Sequence, residues 1–190
     1  MRQRIDIART APGEVLSGAQ RGQQLLVKLL SEVMAEPEAP EPFFLDFSGV
    51  QVATASFLRE SILAFRDLVR TRRSHSFPVV ANANQAVQED LTELVKSRGG
   101  VLLICSLDAE GVVSQPRVIG DLDPKQQLTF DLVRKLGQTD AVALREHSGD
   151  SSVVPTVWNN RLAALVSLGL IVEDISSGRT KRYRPLLQGI

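Results

Sequence analysis

Residues Pro155 to Arg184, PTVWNNRLAALVSLGLIVEDISSGRTKRYR, decide how the chain is read. Pro155 suits the first position of a helix, where its missing N–H costs nothing. Trp158, Leu162, Leu165 and Val166 then recur at helical spacing and form an apolar stripe. Gly169 ends that helix, as glycine often does past a last turn. Leu170 to Ile175 reads as a strand, Ser176-Ser177-Gly178 as a tight turn, and Lys181 to Leu186 as the returning strand.

Two helices precede this unit. Pro124 opens one that carries Leu128, Leu132, Val133 and Leu136 and stops at Gly137. The second covers about Thr139 to Glu146, and His147 to Ser152 is a polar turn. The order is therefore helix, helix, helix, β-hairpin. The ending Leu162-Ala-Ala-Leu165-Val-Ser-Leu-Gly169-Leu170-Ile171, followed by the basic hairpin, resembles winged helix-turn-helix regulators over about Asp123 to Leu187. That resemblance implies a helix that enters a DNA major groove and a wing that touches phosphates.

Residues 1–108 have a different rhythm. Arg4 to Ala8 reads as a strand and Ser17 to Met34 as a helix with Leu25, Leu29 and Val33 on its stripe. A linker from Glu36 to Pro42 holds three prolines. Phe43 to Phe47 is a strand, and a helix to about Arg70 follows with Ser56 as its expected N-cap. Phe77 to Ala81, Gln85 to Ser97 and Val101 to Ser106 continue as strand, helix and strand. Alternating strands and helices predict an α/β (α+β) fold, a small mixed sheet with covering helices.

The segment Leu45-Asp46-Phe47-Ser48-Gly49-Val50, with Thr54-Ala55-Ser56-Phe57 after it, resembles the core of STAS domains. It is most similar to the bacterial STAS-like domains in which a Ser-Phe pair opens the helix. The classical anti-sigma-factor antagonists carry Asp-Ser-Ser-Gly at the place of residues 54–57. The resemblance implies a sensing or partner-binding module, a kinase or ATPase as partner, and Ser56 or Thr54 as a regulatory phosphosite. A helix N-terminus favours such an anion through its dipole and free amides, although an unmodified N-cap requires none. The predicted organisation is a STAS-like α/β domain over 1–108, a linker over 109–122 and a winged helix-turn-helix domain over 123–190; in the linker Val112, Val113, Val118 and Ile119 could pair or dock on either domain.

For DNA contact the candidates are Thr156, Asn159, Asn160 and Arg161, which lie off the apolar stripe, and the hairpin residues Arg179, Lys181, Arg182 and Arg184. Asparagine can pair bidentately with adenine and arginine with guanine, while hairpin cations would hold phosphates. A solvated polar helix face would have the same composition. Charge limits the DNA reading. Twenty-two basic and twenty-two acidic residues cancel, and from Asp123 onward nine Lys/Arg against seven Asp/Glu leave only +2. An alternative is a protein-interaction adaptor in which the helix-turn-helix module binds protein.

Arg66, Arg70, Arg72 and Arg73 offer a further basic run, which is also what a solvated helix end carries. Cys105 is the only cysteine and sits in an apolar run, which predicts an inert, buried thiol. His75 and His147 have no partner at metal-ligand spacing, and neither a nucleophile elbow nor a phosphate loop occurs. The chain therefore reads as a non-enzyme with no cofactor and no catalytic or metal site. With neither a signal core nor a spanning segment it reads as cytoplasmic. Signalling would change how the modules pack or form a homodimer.

Overall fold

The computed structural model describes residues 3–149, 153–174 and 181–190. Its elements are β1 (Gln3–Asp6), α1 (Ile7–Thr10), β2 (Val15–Leu16), α2 (Ala19–Glu32), β3 (Glu41–Asp46), β4 (Val52–Ala53) and α3 (Ala55–Leu58). A π-helical stretch, Arg59–Leu63, joins α3 to α4 (Ala64–Thr71). Then come β5 (Ser76–Ala81), α5 (Gln85–Ser97), β6 (Val101–Leu107) and β7 (Val113–Gly120). The chain ends with α6 (Pro124–Leu136), α7 (Ala141–His147), α8 (Pro155–Ser167), β8 (Ile171–Asp174) and β9 (Arg182–Pro185).

The fold is mixed α/β, and its main sheet is mixed, in the order β1-β3-β5-β6-β7. The first three pairings are parallel, while β6 and β7 are antiparallel. Parallel strands laid down side by side in chain order, each joined by a right-handed crossover, put every crossover helix on one face. Leu25 and Leu29 of α2, Phe65 and Val69 of α4, and Leu91 and Val95 of α5 accordingly share one core with Leu45, Val80 and Ile104 of the sheet.

That winding leaves the opposite sheet face uncovered, yet its side chains are as apolar as the first. Phe44, Phe77, Val79, Val101 and Leu103 are buried there. They form one cluster with Phe130, Val133, Leu144, Trp158, Leu162 and Leu165 from the C-terminal helices. The helices after residue 123 thus roof the sheet, and the two halves share a core. The antiparallel pair β8–β9 closes that roof, with Leu170, Ile171 and Tyr183 inward. Among the described residues no helix is long and apolar enough to cross a membrane.

In the segment expected as a linker at 109–122, Val113, Val118 and Ile119, which the sequence left open to pairing, pair with Leu107, Leu103 and Leu102. Residues Val113–Gly120 form an edge strand, with a register irregularity opposite Ile104 and Ser106. Pro116 and Gln115, the latter at φ 50, interrupt its regularity, which is how edge strands tolerate proline. The first strand is also shorter than expected. Asp6 accepts a hydrogen bond from the Arg9 amide at 3.0 Å and so starts α1 instead of extending β1.

Gly22 of α2 marks where two helices meet most closely. A Cβ there would lie 2.7 Å from the Phe57 carbonyl oxygen, which already accepts from Ser61 Oγ at 2.7 Å at the start of the π-helical stretch. Alanine in a helix interior normally gains about 1 kcal/mol over glycine. Overpacking against fixed backbone costs roughly 1–3 kcal/mol. Gly22→Ala should therefore lower stability by up to about 2 kcal/mol in urea unfolding. A gain in stability would mean that the contact is looser than drawn.

Candidate functional site

On α8 the apolar stripe of Trp158, Leu162 and Leu165 is buried, which leaves the opposite face to solvent. Thr156, Asn159 and Asn160 are exposed there, at spacings of three and four residues, which align side chains on one face. Arg161 is half-buried, its guanidinium 4.7 Å from the centre of the Trp158 ring. Trp158 Nε1 is buried without a hydrogen-bond partner among the described residues.

The hairpin sorts its cations onto two sides. Arg182 and Arg184 flank the buried Tyr183 and are themselves exposed. Lys181 lies 3.0 Å from Glu173, the cross-strand partner of Tyr183. The hydrogen bond and charge of Glu173 raise the Lys181 pKa, and burial followed by the same carboxylate raises that of Tyr183. Arg179 lies outside the described residues. Alternation along the strand places Lys181 on the face opposite Arg182 and Arg184, and in the structure its charge is compensated by Glu173.

Around residues 45–57 the short parallel pair β2–β4 brings the starts of α2 and α3 together. Thr54 Oγ1 accepts from the Phe57 amide at 3.4 Å and from the Gly18 amide at 3.3 Å, so one hydroxyl serves both helix starts. Ser56 Oγ is 3.2 Å from that oxygen. The expected N-cap, Ser56, is instead the second residue of α3, and Thr54 is the cap. The reason is local: a cap residue needs extended backbone, which Thr54 has at φ −69, ψ 153. Thr54→Ala should cost about 1 kcal/mol and Ser56→Ala a few tenths, read by chemical denaturation. Equal losses would restore Ser56 as a structural anchor.

Asp46, the last residue of β3, is 1% exposed and fully engaged. Oδ2 accepts from Arg4 Nε at 2.8 Å and Nη2 at 2.5 Å; Oδ1 accepts from the Ser48 amide and from Asn82 Nδ2. Asn82, at φ 55, also accepts from the Leu107 amide and donates to the Leu107 carbonyl. This clasp ties the ends of β1, β3, β5 and β6, and no lone-pair direction of the carboxylate is left for a substrate. Its partners are up to 42 residues apart in sequence, so spacing could not reveal it.

The basic run after Arg59 is largely structural. Arg66 donates to the Val101 carbonyl and pairs with Asp67. Arg70 donates to the carbonyls of Ser74 and Ser76 and stacks 3.7 Å above the Phe77 ring. Arg72 and Arg73 are exposed. Cys105 is buried in the core shared by sheet and roof. Among the described residues no cluster of three or more His, Cys, Asp and Glu could hold a metal ion. No protein-family model matches the chain, and no curated protein is significantly similar to it.

Proposed function

We propose that this is a non-catalytic bacterial, cytoplasmic regulator, in which a STAS-like sensing or partner-binding module is joined to a winged helix that binds duplex DNA. The observation that carries the reading is the α8 surface. Thr156, Asn159 and Asn160 stand free of the core on one face, close to the helix N-terminus that recognition helices present to base edges. Arg182 and Arg184, exposed on β9, would supply the phosphate contacts that position such a helix. The shared core would let a change at the sheet reach the winged helix without a flexible tether. The test is binding to random duplex DNA across a salt series: saturable binding that weakens with salt supports the proposal, and no binding at low salt overturns it.

A second reading, a protein-interaction adaptor engaging a kinase or ATPase, is favoured by one observation. Val142 at the start of α7 and Val154 and Val157 at the start of α8 are 56%, 54% and 37% exposed. Apolar surface there suits a protein partner better than phosphate. Replacing the three valines by serine separates the readings. DNA binding would be retained, whereas capture of a protein partner would be lost.

A further inference from the structure

Between the roof and the α/β layer lies a cleft of about 410 Å³ that the sequence reading did not anticipate. One wall is the C-terminal end of α4 and the turn after it, bearing Arg70, Arg73 and His75. The other is the second half of α8 with the inner side of β8–β9, where Val166, Lys181 and Tyr183 face the space. Pro40 and Ala163 add apolar surface, with the buried Phe77 behind Arg70. A volume of this size suits a small organic molecule, and apolar walls with a few placed charges are what such sites have in common.

The charges are unequal. Among the described wall residues Glu173 is the one carboxylate, held by Lys181 at 3.0 Å, and the Glu36 carboxylate sits behind the wall, accepting from Ser74 Oγ and the His75 amide. Glu36 offsets part of the Arg70 charge, and Arg73 remains as excess positive charge. Arg70 is more than half-buried; its Nε has no hydrogen-bond partner, and the guanidinium is braced by two carbonyls and the Phe77 ring. Burial lowers its pKa to about 10, with Glu36 acting the other way, so its charge is incompletely compensated. Arg73 adopts φ 55, a left-handed conformation in which glycine would be less strained. A long cationic side chain is nevertheless carried there, exposed, at the cleft wall.

We infer that this cleft binds a small organic acid, its carboxylate taken by Arg73 and Arg70 and its apolar body laid against Pro40, Ala163 and Val166. The walls come from both halves of the molecule, so the occupant touches α4 and α8 together. The binding site stands independently of the DNA reading; only an effect of the acid on DNA affinity rests on it.

The test uses the full chain, with benzoate and 3-methylbutanoate as probes and benzyl alcohol and inorganic phosphate as controls, followed by amide chemical shifts. Either acid should saturate in the millimolar range and shift amides of both α4 and α8. Benzyl alcohol should bind at least tenfold more weakly, as expected for loss of a charge-assisted hydrogen bond. Arg73→Gly, which relieves the backbone strain and keeps the fold, should weaken the acids by a similar factor at a melting temperature no more than a few degrees from wild type. Absence of saturable binding by both acids overturns the inference, as does equal affinity in Arg73→Gly. Phosphate binding as tight as the acids would also overturn it, because the apolar walls would then contribute nothing. Salt-dependent DNA binding by the same sample is scored separately, so failure of the acids and failure of the DNA reading are distinguishable.

Discussion

Trp158→Ala should remove about 3–5 kcal/mol of stability and should do so from the whole molecule, not from its C-terminal third. The side chain is 1% exposed and belongs to a core built from the outer sheet face and the helices after residue 123. Its Nε1 has no hydrogen-bond partner among the described residues, so the cost is almost entirely lost apolar burial and the cavity left behind. Arg161 also loses the ring it lies over, worth about another 0.5–1 kcal/mol at a partly exposed site. Against a typical total of about 5–15 kcal/mol, that is a large fraction.

Cooperativity is the sharper part of this expectation. In the wild type, Trp158 fluorescence reports the roof and far-UV circular dichroism reports every element, and the two unfolding curves should coincide. In the variant, hydrogen exchange at amides of β5 and β6 should accelerate together with that of α8. If α8 loosens while the sheet keeps wild-type protection, the halves are separate folding units and the shared core is not energetically shared.

The sequence reveals elements whose determinants are local. Helix α5 runs from Gln85 to Ser97 as expected because Asn84 caps it, accepting from the Val87 amide at 3.0 Å, and Gly99 with Gly100 stops it. Helix α6 is equally well marked: Asp123 and Gln126 form a reciprocal capping box immediately around Pro124. What escapes sequence reading is set by distant partners. Strand β7 is disguised by Pro116 and by an alternation that only its pairing with β6 explains. Nothing local distinguishes Thr54 from Ser56 as the cap, since the choice follows from the backbone turn that β2 and β4 impose.

The same limit applies to the candidate sites. The polar face of α8 can be read from its periodicity, because Trp158, Leu162 and Leu165 define the opposite side. The pairing of Lys181 with Glu173 depends on the register of β8 against β9. The cleft depends on how the roof is seated on a sheet whose helices all lie on the other face. Sequential winding of β1, β3, β5 and β6 makes that bare face inevitable, but the residues that cover it begin only after residue 123.

Arg182→Ala combined with Arg184→Ala should weaken binding to random duplex DNA roughly 10- to 100-fold at low salt. Both side chains are exposed on one side of β9, with Tyr183 anchoring the strand between them. If each neutralises one phosphate, the slope of log affinity against log salt should become shallower by about two. The hairpin also supplies its own control. Lys181 is held by Glu173, so Lys181→Ala should change affinity and slope much less than the double variant does. Asn160→Ala, on the α8 face, should leave the slope intact and relax preference at one base position by about 1–3 kcal/mol in a selection from random sequences. This pattern separates phosphate contact from base reading within one module. A double variant with unchanged affinity and slope would remove the wing from the DNA interface. If Asn160→Ala also left sequence preference untouched, the polar face of α8 would be solvated surface, and the adaptor reading would take its place.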